Sequence, residues 1–158
     1  MVKKVKTNAL RQLDQKKVHY EIYTYDNLDG QIDGVSVAHK INQPVEKVYK
    51  TLVLTGKNDC YVAVIPVEAT LDIKKMSKAV GEKKLEMLPV KDLEKTTGYI
   101  RGGCSPVGMK KQFKTIIDSS TDALNTFIVS AGQIGLQMEV NVKELVELIR
   151  AEVVDIQQ

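Results

Sequence analysis

The chain has 158 residues, 43% of them hydrophobic, and its 23 Lys and Arg against 20 Asp and Glu give a formal net charge of +3. That length favours one domain, spanning 1–158, with a real core, and no apolar run approaches the ~18–20 residues of a membrane span. The charge permits a polyanionic partner without demanding one, and the basic start (Lys3, Lys4, Lys6) is followed by no apolar stretch, so no secretory signal is read.

Thr7 or Asn8 caps a first helix that runs to about Lys17, with Ala9, Leu10 and Leu13 on its apolar stripe. His19 to Tyr25 is rich in β-formers and predicts a strand. Asp26 to Gly34 is a polar loop of a length that is often functional. Val35 to Ile41 predicts a short helix, and Pro44 opens another turn through Lys47. Lys50–Thr55 and Cys60–Pro66 predict a hairpin, apolar on both faces and therefore central in its sheet. Asp72 to Val80 is a helix capped by Asp72 and stopped by Gly81, with Ile73, Met76 and Val80 on one face. Lys84 to Leu88 is extended, and a helix opens at Pro89 or Val90 and ends near Gly98. Thr115–Ile117 and Thr126–Val129 are the last strand candidates. Asn141 followed by Glu144 marks the start of a final helix whose Val142, Leu145, Leu148 and Ile149 face inward. The interleaving predicts an α+β fold: a mixed, strongly twisted sheet with helices packed around it.

The stretch from Thr97 to Lys111 carries the densest chemistry. Tyr99 and Ile100 read as the end of a strand, followed by Gly102-Gly103, Ser105-Pro106 and Gly108, with Lys110 and Lys111 closing the run. Adjacent glycines let backbone amides face a ligand without an intervening Cβ, and the lysines suit a phosphate-bearing ligand. An ordinary turn has the same composition, and the spacing fits neither the phosphate-loop nor the dinucleotide motif. Val129-Ser130-Ala131-Gly132-Gln133-Ile134-Gly135 repeats the pattern, so the two stretches could line one cleft if their strands are neighbours. Lys50, at the start of an apolar strand, either snorkels to solvent or supplies a cation to that cleft.

Rival chemistries are weaker. Cys60 and Cys104 have no metal-type spacing and read as free thiols of a reducing cytoplasm. Cys104 lacks a base, since His19 and His39 have no context that places them beside it, and a buried, inert role fits it better. The two histidines and scattered cysteines make no zinc site, and Asp26, Asp29 and Asp33 lack EF-hand spacing. The lysines at 74, 75, 78, 83, 84, 110, 111 and 114 are either a solvated face or a nonspecific phosphate track.

Several pieces together resemble the YbaK/EbsC family of Cys-tRNA(Pro) deacylases, free-standing relatives of the editing domain of prolyl-tRNA synthetase. They are Val48-Tyr49-Lys50-Thr51-Leu52, Leu71-Asp72-Ile73-Lys74-Lys75, Thr97-Gly98-Tyr99 leading to Gly102-Gly103-Cys104-Ser105-Pro106-Val107-Gly108, and Val129-Ser130 with Gly135. The resemblance implies a sheet curled toward a barrel, a cytoplasmic enzyme without cofactor or metal, and hydrolysis of the ester joining a wrong amino acid to tRNA(Pro). Its expected partners are the tRNA(Pro) acceptor end and prolyl-tRNA synthetase, with no DNA or membrane. By position it implies catalytic roles for Lys50, Gly102 and Ser130, and substrate contacts from Tyr25, Thr51, Gly103, Ser105, Pro106 and Gln137. The chain departs from the family at Gln137, where an aspartate is common, and near Ile32 and Asp33, where an aromatic residue is expected. The family mechanism is substrate-assisted: the thiol of the mischarged cysteine attacks its own ester. The alternatives are water-driven hydrolysis of Ala-tRNA(Pro) and a non-catalytic module that binds tRNA or synthetase.

Overall fold

The computed structural model describes residues 6–158; Lys3 and Lys4 of the basic start lie outside that range. Helix α1 (Asn8–Gln15) leads into β1 (Tyr20–Thr24), and an irregular loop then reaches α2 (Gly34–Lys40). A 3-10 turn at Val45–Lys47 delivers the chain to the hairpin β2 (Tyr49–Thr55) and β3 (Cys60–Pro66). Next come α3 (Ile73–Val80), β4 (Glu86–Met87) and α4 (Val90–Thr97). After a long loop follow β5 (Lys114–Asp118), β6 (Thr126–Gln133), β7 (Leu136–Asn141), α5 (Val142–Ile149) and β8 (Glu152–Val154).

The helix ends follow local chemistry. The Thr7 hydroxyl accepts from Leu10 N at 3.2 Å, the Asp72 carboxylate from Lys75 N at 3.1 Å, and the Asn141 amide oxygen from Glu144 N at 3.0 Å. Gly81 and Gly98 close α3 and α4 in the left-handed conformation. The apolar face read for α3 is only partly buried: Met76 is fully covered, whereas Ile73 at the first turn is 40% exposed.

The strands form two sheets, not one. The larger has the order β4-β2-β3-β5-β8, with an antiparallel β2–β3 hairpin and parallel β3–β5 and β5–β8 pairs; the smaller is antiparallel, β1-β7-β6. A parallel bridge between Val48 and Ile128 joins them, and they do not close into a barrel. The main core lies between the sheets, where Val53, Val62 and Ile117 of the larger meet Phe127, Val129 and Met138 of the smaller, with α1 and α5 contributing Leu10, Leu13 and Leu145. A second cluster, around Leu54, Ile65, Met76 and Ile116, packs α3 on the far side of the larger sheet. The apolar hairpin expected in the middle of a sheet is therefore covered on both faces. Tyr99 and Ile100 are not a strand end: they follow the α4 cap, with Tyr99 buried and its hydroxyl donating to Val107 O at 2.7 Å.

Candidate functional site

Where β2 leaves the bridge to the smaller sheet, the two sheets diverge and leave a cleft of about 110 Å³. Tyr49, Lys50 and Thr51 of β2 form one side, and Ser130 of β6 and Gln137 of β7 form the other. Gly102 and Cys104 of the loop after α4, Ile32, Gly34 and Val37 of the loop and helix around α2, and Val67 after β3 complete the lining. Measured in the same way a single water needs ~10–15 Å³, so the floor accommodates a small acyl group and anything larger must lie at the mouth.

Glycines make these approaches possible. At Gly34, the first residue of α2, a Cβ would sit 2.2 Å from Val67 Cγ1, so only glycine lets the helix reach the end of β3. Gly102 has φ +86°, and a Cβ there would lie 2.7 Å from Ile32 Cδ1. The two glycine-rich stretches do meet in space. The missing Cβ of Gly103 would be 2.9 Å from Ile134 N, in the turn between β6 and β7.

The chemistry of the lining is sparse. Lys50 has no hydrogen-bond or ion-pair partner among the described residues, and burial lowers its pKa from the ordinary lysine value. The Thr51 hydroxyl is buried without a partner, an unusual state for a polar atom that costs stability unless a ligand completes it. Ser130 Oγ accepts from Gly132 N at 3.2 Å and stands opposite Gln137 in the β6–β7 register. Gln137 is 6% exposed. Burial pushes the Cys104 thiol up to about 12, which leaves it protonated and unreactive at neutral pH. His19 pairs with Glu21 at 2.9 Å on the surface and His39 lies in the last turn of α2; neither lines the cleft. No group of three or more His, Cys, Asp or Glu among the described residues could hold a metal ion.

Of the residues singled out in the sequence, Lys50, Thr51, Gly102, Ser130 and Gln137 converge on this cleft. Four others do not line it. Tyr25 packs beside Ala38, Ile41 and Val48, its N–H donates to Gly135 O at 3.0 Å, and its hydroxyl is buried without a partner. Gly103 is spent on the close approach to the β6–β7 turn. Ser105 is fully buried with its hydroxyl accepting from Val107 N at 3.2 Å, and Pro106 is buried beside it. These residues shape the loop that presents Gly102 and Cys104. Lys110 and Lys111 also lie off the cleft, the first donating to Lys95 O and the second paired with Asp59, both at 3.3 Å. Gly34, Val37 and Val67 escaped sequence reading; Gly34 directly after its capping aspartate was the one available signal.

The aminoacyl-tRNA editing domain model matches residues 31–148, which takes in every lining residue of the cleft. The chain belongs to this family. EbsC of Enterococcus faecalis, assigned as a Cys-tRNA(Pro)/Cys-tRNA(Cys) deacylase, is 45% identical over 152 residues, covering 96% of this chain and 93% of EbsC. The proline–tRNA ligase of Fervidobacterium nodosum is 28% identical over 120 residues, which is 72% of this chain but 21% of the ligase. A crystal structure assigned as a trans-editing enzyme for prolyl-tRNA synthetase superposes with a TM-score of 0.85 at 21% identity, covering 98% of this editing domain and 99% of that chain. The last match shows the fold. Within the described residues, no helix of this editing domain is long and apolar enough to cross a membrane.

Proposed function

We propose that this editing domain hydrolyses the ester of mischarged Cys-tRNA(Pro) in the cytoplasm, taking the tRNA acceptor end as substrate and prolyl-tRNA synthetase as a partner. The observation that carries the reading is Lys50: a partly desolvated ammonium without a counter-ion among the described residues, set in a cleft that otherwise offers neutral groups. A cation left unpaired in this way suits a ligand that brings its own anion, as the terminal nucleotide of a tRNA does. The small floor suits the aminoacyl group.

The lining offers no histidine, and its one thiol is held protonated, so the enzyme supplies no evident nucleophile. The substrate can. A free thiol has a pKa of about 8.5 and is a few per cent thiolate near neutral pH. Attack of the cysteine sulfur on its own carbonyl carbon forms a carbon–sulfur bond and a four-membered thiolactone. The ester C–O bond breaks, the 3′ oxygen leaves and takes a proton, and the thiol proton passes to water. Water then opens the thiolactone to free cysteine. Serine and alanine esters lack this route, which separates them where size alone is worth only ~1–3 kcal/mol per methylene. Lys50 and the backbone at Gly102 orient the ester and stabilise the oxyanion, and Ser130 lies across from them.

The test is hydrolysis of Cys-tRNA(Pro) and Ala-tRNA(Pro), side by side, by the native protein and by Lys50→Ala. The expected result is loss of Cys-tRNA(Pro) that falls at least 100-fold in the variant, with Ala-tRNA(Pro) persisting. Full activity in the variant would remove Lys50 from the site, and equal turnover of both esters would replace the thiol route by water attack.

A further inference from the structure

The charge of the cleft sets a condition on its ligand. Among the described residues that line it there is one cation, Lys50, and no aspartate or glutamate. Carboxylates on the segments that flank the lining are engaged elsewhere. Asp33, between Ile32 and Gly34, caps α2 through Ser36 N at 3.1 Å and Ser36 Oγ at 2.7 Å. Glu139, two residues beyond Gln137 on β7, accepts from Tyr23 Oη on β1 at 2.6 Å and Thr126 Oγ1 on β6, and pairs with Lys47. Asp29 is tied to Lys40 at 2.7 Å in the loop before α2. Nearby, the Cys104 thiol is held protonated by burial and the Tyr49 hydroxyl is bonded to Ser120 Oγ at 2.7 Å. An aminoacyl ester brings an α-ammonium into this space, and no carboxylate among the described lining residues is there to pair with it. What the cleft does offer is neutral hydrogen bonding. Gln137 has no hydrogen-bond partner for its amide among the described residues, and the Thr51 hydroxyl is buried and unpartnered. Both groups donate and accept.

We propose that the cleft reads the α-nitrogen of its aminoacyl ester as an uncharged group, through the Gln137 amide and the Thr51 hydroxyl. The accepted form is then the neutral α-amine, or an α-hydroxyl in its place. This rests on the reading that the ligand is an aminoacyl ester. Gln137 is thereby a specificity-determining residue: a carboxylate at its position would pair with the ammonium and reverse the preference.

The experiment compares Cys-tRNA(Pro) with its deaminated counterpart, the 3-mercapto-2-hydroxypropionyl ester, in single turnovers between pH 6 and 8. Both esters carry the thiol, so the same route of attack is open to each. The native protein is expected to hydrolyse the two within about threefold at pH 8. Below the pKa of the ester's α-amine the ratio should move toward the deaminated ester by about tenfold per pH unit. Gln137→Asp is expected to abolish that trend and favour Cys-tRNA(Pro) at pH 6. A ratio independent of pH in the native protein overturns the inference, as does at least tenfold slower hydrolysis of the deaminated ester at every pH, and neither result depends on the variant folding. Turnover of neither ester overturns the proposed function and the inference with it.

Discussion

Lys50 is held in a place that costs the fold something. Its ammonium is partly desolvated and unpaired among the described residues, and burial lowers its pKa from 10.5. In the window between the lowered folded value and the unfolded one, the unfolded chain binds more protons, so stability attributable to this residue rises with pH. At neutral pH the charged form is therefore a net penalty. Lys50→Met is expected to raise the urea midpoint at pH 7, with the difference from the native protein shrinking as pH rises through the lysine range, while deacylation is lost. A lower midpoint at pH 7 would contradict this account. Gly102 shows the opposite balance, in which the residue type is demanded by the backbone. With φ +86° and Ile32 Cδ1 2.7 Å from the missing Cβ, Gly102→Ala should cost about 1–2 kcal/mol for the left-handed backbone. It should also slow deacylation by displacing the Ile32 wall. Denaturant midpoints and single-turnover rates check the two effects separately.

At the scale of elements, the C-terminal tail is held by one buried carboxylate. Asp118, at the end of β5 and 1% exposed, accepts from Ile156 N at 3.0 Å, Ser120 N at 3.0 Å and Gln157 Nε2 at 2.7 Å. The segment so positioned runs beside the start of α3, with Asp72 N donating to Ile156 O at 2.7 Å and Gln158 N to Thr70 O at 2.9 Å. Lys75 closes the same seam on Asp155 at 2.9 Å. Burial alone would raise the Asp118 carboxyl, but hydrogen bonds led by that from Ser120 outweigh it and leave the pKa lowered from 3.8. A depressed carboxylate contributes stability that is fully present above its unfolded pKa, about 3.9, and is lost as pH falls through the folded value. Asp118→Asn is expected to cost about 1–3 kcal/mol at pH 7, with the difference narrowing below pH ~3.9. Chemical denaturation of both proteins at pH 7 and pH 3 measures this, and an equal difference at the two pH values would refute the linkage.

At the scale of the whole molecule, the cleft exists because two sheets share one core. Besides the Val48–Ile128 bridge, Tyr49 of the larger sheet meets Phe127 of the smaller edge to face, with centroids 5.3 Å apart and planes at 78°. Phe127 is fully buried, and Tyr49 and Lys50 are consecutive. The packing that joins the sheets is thus adjacent to the residue proposed for chemistry. Phe127→Ala should cost about 3–5 kcal/mol. The loss should appear as one transition reported alike by far- and near-ultraviolet circular dichroism, because the main core is shared between the two sheets. Two separate transitions would show that the sheets are independent units.

Helix ends were legible because capping is local. Thr7, Asp72 with Gly81, Gly98 and Asn141 each mark their boundary within about three residues. The apolar hairpin was legible for a similar reason, since residues buried on both faces need no alternation. Lys50, Gly102 and Ser130 stood out by residue type, as a cation before an apolar strand and as glycines and a serine after one. The misses involve partners distant in the chain. Tyr99 looked like a strand residue but is buried because the loop folds back and offers it Val107 O. Strand β7 was not anticipated: it lies between β1 and β6, and its Gln137 and Glu139 break the apolar pattern because one faces the cleft and the other is neutralised by Lys47. Strand β8 owes its place to a parallel pairing with β5, more than 30 residues away in the chain. The wall of Gly34, Val37 and Val67, and the exclusion of Tyr25, Lys110 and Lys111 from the cleft, depend on how α2 and the loop after α4 dock. Residue identity carries the local backbone preference and the chemistry of each side chain. Which groups share a desolvated space, and so which cation stands unpaired, is a property of packing between segments far apart in the chain.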